Sequence, residues 1–260
     1  MENRIFVQDL TWKPSEQKKP VLDHIKACIE QGGFYGILGP NGSGKTSFLR
    51  HLLCYLPIEE GSICLEEKEL SAYSRKELAL QFSHVPQNTN VDASFSVYDI
   101  IMMGRSPYQK RFGGITKEDK EKVENAMKLM HCENLKDKAI TTLSGGEAQR
   151  VIAARAIAQD TPYLFLDEPI SHLDIRYQIE LMEALKVLNE EQKTTIIAVL
   201  HDINMAAKYC KQILLMKDGK VFAAGKTEDV LTVENLEAVY EIPFFESVHP
   251  LTNTPYFIPQ

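Results

Sequence analysis

A glycine-rich turn between an apolar run and a helical stretch constrains this chain more than any other feature of its sequence. The turn fits the pattern G-x-x-x-x-G-K-[ST] and consists of Gly39, Pro40, Asn41, Gly42, Ser43, Gly44, Lys45 and Thr46. Phe34–Leu38 before it predicts a buried strand, and Lys45–Leu53 after it predicts a helix. In that context the glycines let backbone N–H groups surround phosphate oxygens, and the helix N-terminus adds positive potential. The segment therefore predicts a phosphate loop; the alternative is a glycine turn without a ligand.

Four residues carry predicted roles in phosphate chemistry. We expect the Lys45 ammonium to reach the β- and γ-phosphates and the Thr46 hydroxyl to ligate Mg²⁺. Later in the chain, the apolar segment Tyr163–Leu166 ends in two carboxylates, and ligands of open α/β sheets bind outside the carboxyl ends of strands. We therefore expect Asp167 to hold the Mg²⁺ shell and Glu168 to orient and polarise the water that attacks the γ-phosphate. The alternative for this pair is a solvated acidic turn.

The segment Leu143–Glu147 predicts a second anion-binding helix start. Ser144, followed three residues later by Glu147, forms the capping-box pattern that opens a helix. A capping box does not need Gly145 and Gly146, each of which costs about 0.8–1.0 kcal/mol relative to Ala in a helix interior. Two residues without side chains beside a serine expose the helix N-terminus to an anion. Since the chain already has one phosphate loop, this surface is predicted to serve a nucleotide held by another copy.

The composition excludes several classes of protein. The 260 residues include 29 Lys+Arg and 36 Asp+Glu, which gives a formal net charge of −7. That balance argues against a dedicated nucleic-acid binder and against direct adhesion to anionic lipid, because both need a basic face. The five cysteines are scattered without a Cys-x-x-Cys pair, which is typical of reduced thiols in the cytosol.

Membrane and secretory signals are missing from the sequence pattern. No run approaches the roughly 18–20 apolar residues of a membrane span, and the first residues contain no apolar stretch that would indicate a signal peptide. We therefore expect a soluble cytoplasmic α/β protein, built as one large domain or as a core with a smaller lobe. If it works at a membrane, a partner must hold it there.

The order of predicted elements indicates a mainly parallel sheet with an antiparallel N-terminal part. Alternating apolar and polar residues at Ile5–Leu10 and Ile25–Ile29 predict half-buried antiparallel strands. In the second half of the chain, strands alternate with helices, which predicts a parallel sheet covered on both faces. The charged, helix-periodic stretch at 97–131 predicts an inserted helical lobe interrupted by Pro107 and by the Gly113-Gly114 pair. Asp218-Gly219 predicts a hairpin turn.

Seven motifs in order resemble the ATPase subunit of ATP-binding-cassette (ABC) transporters, over nearly the whole chain. Residues 39–46 and 163–168 resemble that family's Walker A and Walker B motifs, and residues 143–147 its signature motif. The resemblance implies ATP and Mg²⁺ as cofactors. It also implies a P-loop NTPase (RecA-like) core with a mainly parallel sheet, an antiparallel β subdomain at the N-terminus and an inserted helical subdomain. The implied single domain over 1–260 has its core at about 1–88 and 160–240, its helical subdomain at about 89–159 and its tail at 241–260.

Four further residues match the family's shorter motifs. Gln87 matches the Q-loop glutamine, implied to sense Mg²⁺ and the attacking water and to connect to the membrane partner. Asp174 ends the D-loop at 171–174 and is implied to lie at the subunit interface, and His201 matches the switch histidine that contacts the γ-phosphate. Trp12 resembles the aromatic residue that stacks on adenine, although the segment from it to the phosphate loop is longer than usual. Each of these residues also has a purely structural interpretation when it is taken alone. Gln87 would be a surface glutamine, His201 a strand-end histidine and Trp12 a core aromatic residue.

Two positions depart from the family pattern. Ile170 stands where the family usually has Thr after Glu-Pro, and Ser47-Phe48 follows the phosphate loop where a smaller pattern is common. Ser47 is nevertheless counted with the nucleotide-binding residues. Neither departure is expected to alter the phosphate chemistry, so the resemblance implies an active ATPase.

Two segments resemble one branch of the family. Residues 96–108, after the Q-loop, and the tail at 234–259 are similar to those of ATPases that serve iron-siderophore, haem and cobalamin importers. The first segment has an alternative interpretation, an amphipathic helix whose Ile100, Ile101 and Met103 pack the lobe. The resemblance to this branch implies that the cargo is a metal chelate.

The implied mechanism joins two copies head to tail. Each ATP lies between one copy's phosphate loop, Gln87, Walker B carboxylates and His201 and the other copy's residues 144–147. Hydrolysis reopens the pair and moves a permease docked near Gln87 and residues 95–112. The implied partners are therefore a second copy, transmembrane permease subunits and, indirectly, a substrate-binding protein, but no nucleic acid. The implied location is the cytoplasmic face of the inner membrane, peripheral through the permease.

Two alternatives to this function stay open. A soluble ABC scaffold, such as the iron–sulfur cluster assembly type, would share all the phosphate motifs. The ATPase of another ABC importer, for metal ions or oxyanions, would share them as well. Residues 102–107 and the tail favour an importer over the scaffold.

Overall fold

The computed structural model describes residues 4–87, 94–109, 113–171, 173–250 and 254–260. Part of the sequence-based expectations therefore lies outside the described residues: the D-loop residue His172, residues 89–93 of the helical subdomain, residues 110–112 of the docking segment, and residues 1–3 and 251–253. The chain forms two compact units. One comprises Met1–Tyr73 with Thr195–Gln260, and the other comprises Ser74–Thr194.

The secondary structure alternates between strands and helices along the chain. The strands are β1 (Arg4–Trp12), β2 (Leu22–Glu30), β3 (Phe34–Leu38), β4 (Glu60–Leu65), β5 (Lys68–Glu69), β6 (Phe82–Val85), β7 (Tyr163–Asp167), β8 (Thr195–Val199), β9 (Gln212–Lys217), β10 (Lys220–Lys226), β11 (Phe244–Val248) and β12 (Pro255–Pro259). The helices are α1 (Lys45–Leu52), α2 (Arg75–Gln81), α3 (Val97–Met102), α4 (Lys117–Leu129), α5 (Gly145–Ala158), α6 (Ile175–Gln192), α7 (Ile203–Tyr209), α8 (Thr227–Val230) and α9 (Val233–Tyr240). Short 3₁₀ helices lie at Leu70–Ala72, Met103–Tyr108, Glu133–Leu135 and Ile140–Thr142. Among the residues described, no helix is both long enough and apolar enough to cross a bilayer.

The N-terminal strands form the antiparallel sheet that their alternating pattern predicts. The order is β2-β1-β4-β5, and β1 pairs antiparallel with both β2 and β4. Ile5 and Val7 are fully buried on one face of β1, whereas Phe6 between them is exposed on the other. A sheet with one solvated face produces this alternation, because successive side chains point to opposite faces.

The parallel strands of the first unit are buried on both faces. β3 pairs in parallel with β8 on one side and with β9 on the other, and all five of its residues are buried. β9 returns into β10 as an antiparallel hairpin through Asp218-Gly219, which confirms the predicted turn. Because the carboxyl end of β3 leads directly into the phosphate loop, this sheet fixes where the loop begins.

The second unit is built around α5. In it β6 and β7 pair in parallel, and α3 and α4 both pack against α5. The predicted helical lobe is present, but Pro107 lies inside the 3₁₀ helix Met103–Tyr108 and does not break the chain into an irregular loop. Gly104 permits this packing, since a Cβ atom there would collide with the carbonyl oxygen of Arg155 on α5.

A buried ion pair fastens this lobe. The Arg105 side chain is 2% exposed and that of Asp119 5%, and the Arg105 Nε donates to the Asp119 carboxylate at 2.9 Å. A second guanidinium nitrogen donates to the Ala158 carbonyl at 2.9 Å, and the guanidinium carbon lies 4.0 Å from the centre of the Tyr108 ring. Arg105 therefore binds the end of α5, the start of α4 and the 3₁₀ helix together.

A C-terminal hairpin, which the sequence pattern did not reveal, covers α7 and α9. β11 pairs antiparallel with β12. The Asn204 side chain on α7 donates to the Phe257 carbonyl at 3.0 Å and accepts from the Phe257 N–H at 2.7 Å. Glu237 of α9 accepts from the Phe244 N–H at 2.9 Å. Each strand of the hairpin is thus anchored by one helix side chain.

Candidate nucleotide-binding site

The phosphate loop follows β3 and has the backbone that its glycines predict. Gly39, Gly42 and Gly44 adopt φ values of 145°, 80° and 97°, which side chains rarely tolerate. Gly39 is also crowded, because a Cβ atom there would collide with the Met216 carbonyl oxygen. Around Gly42, by contrast, a Cβ atom would meet open space. The loop therefore packs on the protein at its start and is open at its middle, where a ligand can approach.

Inside this loop lies the ammonium group of Lys45. The residue is 5% exposed, and its Nζ donates to the Gly39 carbonyl at 2.8 Å and to the Pro40 carbonyl at 3.0 Å. The Ser43 hydroxyl is buried and has no hydrogen-bond partner within the part of the chain that the structure describes. A buried hydroxyl without a partner is costly. An anion entering the loop would supply that partner, so the loop fits a phosphate ligand.

Trp12 stands beside the helix that follows the loop. Its half-buried ring lies edge-on against the buried ring of His51 on α1, with the centroids 5.1 Å apart. The His51 Nδ1 donates to the Ser47 carbonyl at 2.7 Å. Burial lowers the pKa of His51 below its ordinary value of 6.5, although the carbonyl groups of Ser47 and Pro57 oppose the shift. Sequence reasoning missed His51, whose signal was its position four residues after Ser47 on the same helix face.

His201 and the phosphate loop lie at the same edge of one sheet. Ile37 of β3 is opposite Val199 of β8 in the parallel register. Gly39 and His201 are each two residues beyond that pair, so the loop and the histidine leave the carboxyl ends of neighbouring strands together. The His201 side chain is exposed there.

Gln87 and Glu168 are brought together in the second unit by the same kind of register. Val85 of β6 is opposite Leu166 of β7, and each of the two residues follows this pair by two positions. The Gln87 Nε2 donates to the Glu168 carboxylate at 2.7 Å. Glu168 has a left-handed backbone, with φ 50°, directly after the last residue of β7. The two predicted catalytic groups are thus directly hydrogen-bonded.

Each of the two predicted Mg²⁺ ligands, taken by itself, has chemistry that suits the ion. Asp167 is a carboxylate at the end of β7 and is 3% exposed. Thr46 offers a half-buried hydroxyl at the start of α1. Both groups provide oxygen ligands, which Mg²⁺ prefers, and Mg²⁺ usually takes few protein ligands together with substrate phosphates.

The signature segment has the predicted capping box. The Glu147 carboxylate accepts from the Ser144 N–H at 2.9 Å and from the Ser144 hydroxyl at 2.8 Å, and these hydrogen bonds lower the pKa of Glu147. Gly145 is exposed and has open space where a Cβ atom would lie, so nothing in the described chain explains the absence of a side chain there. The helix start is therefore accessible to a ligand or to another chain.

The end of the D-loop lies next to the signature segment. A Cβ atom on Gly146 would be 3.6 Å from the Leu173 side chain and 3.9 Å from that of Tyr177. Asp174 is exposed and caps α6, since its carboxylate accepts from the Tyr177 N–H at 3.0 Å. The second unit thus brings Gln87 to Glu168 and the start of α5 to the start of α6. The phosphate loop, Trp12 and His201 belong to the first unit.

Comparisons with known proteins agree with this set of motifs. The sequence profile of the family described as "ABC transporter" matches residues 22–171. The ferric enterobactin transport ATP-binding protein FepC of Escherichia coli (strain K12) is 35% identical over 242 residues, which are 93% of this chain and 89% of FepC.

Two solved structures extend the likeness to the fold. A metal-chelate type ABC transporter in an inward-facing conformation superposes with a TM-score of 0.85 at 27% identity, covering 100% of this chain and 98% of the other. A dimeric bacterial ABC transporter cassette superposes with a TM-score of 0.76 at 28% identity, covering 86% of this chain and 98% of the other. The predicted fold class is thereby confirmed, and the chain belongs to the ABC transporter family.

Proposed function

We propose that this chain is the ATP-hydrolysing subunit that powers import of a metal chelate through a membrane permease. The phosphate loop carries the proposal, because it combines a buried Lys45 ammonium with a buried Ser43 hydroxyl that has no partner in the described chain. ATP phosphates would bind the loop N–H groups and Lys45. Trp12 would stack on adenine, with Ser47 beside the bound nucleotide. His201 would contact the γ-phosphate.

Mg²⁺ would be held by Thr46 and Asp167, with Gln87 beside them. When bound, the ion neutralises charge on the β- and γ-phosphates. The protein supplies the remaining chemistry through position and proton transfer. Glu168 would accept a proton from the attacking water, and the Gln87 N–H at 2.7 Å holds its carboxylate in one orientation.

The open start of α5 supports a dimer in which a second copy completes the site. Ser144, Gly145, Gly146 and Glu147 of one copy would approach the γ-phosphate bound to the other, with Asp174 at the interface. The exposed surface at Gly145 suits this role, because backbone N–H groups there can reach an anion without an intervening side chain. ATP would close the pair because only the closed state bridges its γ-phosphate, and hydrolysis would reopen it.

The import function rests on the branch of the family. The relative FepC is named for ferric enterobactin transport. The inward-facing structure that superposes on the whole of this chain is described as a metal-chelate type transporter. By this analogy the chain would dock on the cytoplasmic side of permease subunits, near Gln87 and residues 95–112. A substrate-binding protein would act on the permease and not on this chain. The cargo would then be chosen outside this polypeptide.

Ser144→Arg is expected to weaken ATP-dependent dimerisation at least about tenfold. A long cationic side chain at the open helix start would block the approach of the partner's nucleotide. The dimer fraction would be measured by light scattering after size exclusion, with ATP and in a Glu168→Gln background that preserves bound ATP.

The matched control is Ser74→Arg. Ser74 is also an exposed capping-box serine, whose hydroxyl accepts from the Glu77 N–H at 3.2 Å at the start of α2. Both changes therefore remove an N-cap, which costs about 1 kcal/mol. If Ser144→Arg dimerises with ATP as well as the control does, the partner's signature segment does not complete the site.

Extraction of native membranes in mild detergent is expected to recover the chain bound to a protein with several membrane spans. The physical reason is that the described helices provide no span of their own, so membrane attachment requires a partner. Affinity purification followed by mass spectrometry of the partners checks this. Recovery with soluble partners alone would contradict the import function and favour the scaffold alternative.

A further inference from the structure

A long, lysine-rich loop joins β1 to β2. It covers residues 13–21, whereas hairpin loops usually contain two to five residues. The Val21 N–H donates to the Trp12 carbonyl at 2.9 Å and closes the loop. Both ends of the loop therefore lie at the Trp12 end of β1. We name residues 13–21 the lysine loop.

Both ends of the lysine loop lie against the elements that hold the phosphate loop. At its start, Trp12 contacts His51 on α1. At its end, the Val21 carbonyl is so close to Gly44 that a Cβ atom on that glycine would lie 2.8 Å from it. The same carbonyl faces Gly219, whose N–H donates to the Ser43 carbonyl at 3.2 Å. The lysine loop therefore runs from the proposed adenine side of the site to the last glycine of the phosphate loop.

The lysine loop carries a net positive charge that the described chain does not neutralise. Lys13, Lys18 and Lys19 are exposed, and none of them forms an ion pair with a residue in the described ranges. Glu16 is the one acidic residue between 13 and 21.

Two acids on β1 and β2 already have cationic partners, whereas Glu60 on β4, opposite Thr11, forms no ion pair within the described ranges. Asp23 pairs with Lys220 at 3.0 Å, and Asp9 lies 3.1 Å from the His24 ring and 3.6 Å from the Lys26 ammonium. Because the three lysines of the loop are exposed and form no ion pair in the described ranges, their charge remains available to an incoming anion, with Glu16 and Glu60 as the acids that oppose it.

We infer that the lysine loop is a cationic rim that captures the triphosphate of the nucleotide and increases its affinity. The inference rests on the proposed function. Because the whole chain has a net charge of −7, a polyanion is repelled unless positive charge is concentrated where it enters. Charges within about a Debye length, ~10 Å at 0.1 M salt, act on the ligand without touching it. The lysines do not contact the reacting atoms, so they act on binding and leave the chemical step unchanged.

The test compares two triple variants with the same change in charge. The first carries Lys13→Gln, Lys18→Gln and Lys19→Gln. The control carries Lys120→Gln, Lys128→Gln and Lys186→Gln, all at exposed positions on α4 and α6. Equilibrium binding of a fluorescent ATP analogue and of the matching ADP analogue would be measured in a Glu168→Gln background, at about 0.02 M and about 0.5 M salt.

The lysine-loop variant is expected to lose about three- to tenfold in ATP affinity at the lower salt concentration, and less than about twofold at the higher one. ADP should lose less than ATP, since it carries less charge. The control should stay within about twofold of the parent protein in every condition. An affinity of the variant within about twofold of the parent at the higher salt concentration also shows that the variant is folded.

Equal affinity of parent and lysine-loop variant at low salt would overturn the inference, as would an equal loss in the control. Both outcomes leave the proposed function standing, because the parent still binds ATP. A parent protein that binds neither analogue would instead overturn the proposed function, and the inference with it.

Discussion

Glu168→Gln is expected to lower the steady-state ATPase rate at least about 100-fold and to leave ATP affinity within about threefold of the parent value. The amide has the same shape as the carboxylate, and its oxygen can still accept the Gln87 N–H, which lies 2.7 Å from Glu168 in the native chain. An amide cannot take a proton from water at neutral pH. The substitution therefore removes the base and keeps the geometry.

Phosphate release and equilibrium ATP binding, measured on the same preparation, separate these two effects. Glu190→Gln is the control, since Glu190 is an exposed glutamate near the C-terminal end of α6. Hydrolysis by Glu168→Gln at a rate near that of the control would show that Glu168 is not the base. A loss of ATP binding by Glu168→Gln would show instead that the carboxylate is needed to hold the nucleotide.

Arg105→Met is expected to reduce the free energy of unfolding by about 3–5 kcal/mol, because removing one partner leaves a buried charge uncompensated. The Asp119 carboxylate would keep its hydrogen bonds from Thr116 but lose the guanidinium 2.9 Å away. The Ala158 carbonyl at the end of α5 would also lose its donor.

Urea unfolding monitored by circular dichroism measures this loss. Arg176→Met is the matched control, because Arg176 also pairs with a carboxylate at 2.8 Å, that of Glu180, but its side chain is 80% exposed. Exposed pairs contribute about 0–1 kcal/mol. Equal losses of unfolding free energy in the two variants would contradict the conclusion that the buried Arg105 ion pair stabilises the helical lobe.

The Arg105 pair also predicts a pH dependence. Burial by itself would raise the pKa of Asp119, but hydrogen bonds from Thr116 and Arg105 outweigh it and hold that pKa below its ordinary value of 3.8. A carboxylate whose pKa is lowered by folding stabilises the fold above its ordinary pKa, and this stabilisation disappears as the pH falls through the lowered value. The difference in the free energy of unfolding between the native chain and Arg105→Met should therefore become smaller below about pH 3.8.

Local sequence patterns were sufficient to predict the regular secondary structure of the fold. β3 is a continuous apolar run because both faces of its sheet are buried there, and β1 alternates because one face of its sheet is solvated. Asp218-Gly219 predicts its hairpin because both residues tolerate positive φ, as the structure shows for each. In these elements the cause of the structure lies within a few residues of the pattern.

Contacts between distant residues left no such pattern. Asn204 and Phe257 are 53 positions apart, so nothing in the sequence near either residue predicts the hairpin that they anchor. The contact between Trp12 and His51 likewise depends on how β1 meets α1. The Gln87–Glu168 hydrogen bond follows from the pairing register of β6 and β7, which the order of elements does not define.

At residue 168, selection for stability and selection for activity would favour different amino acids because of the backbone conformation. Its φ of 50° is a region that costs L-residues roughly 1–2 kcal/mol and glycine much less. Laboratory evolution for heat tolerance would thus favour glycine at position 168, while selection for turnover would retain the acid. In thermostabilised variants of this protein, residue 168 should therefore be the first position checked for loss of the glutamate.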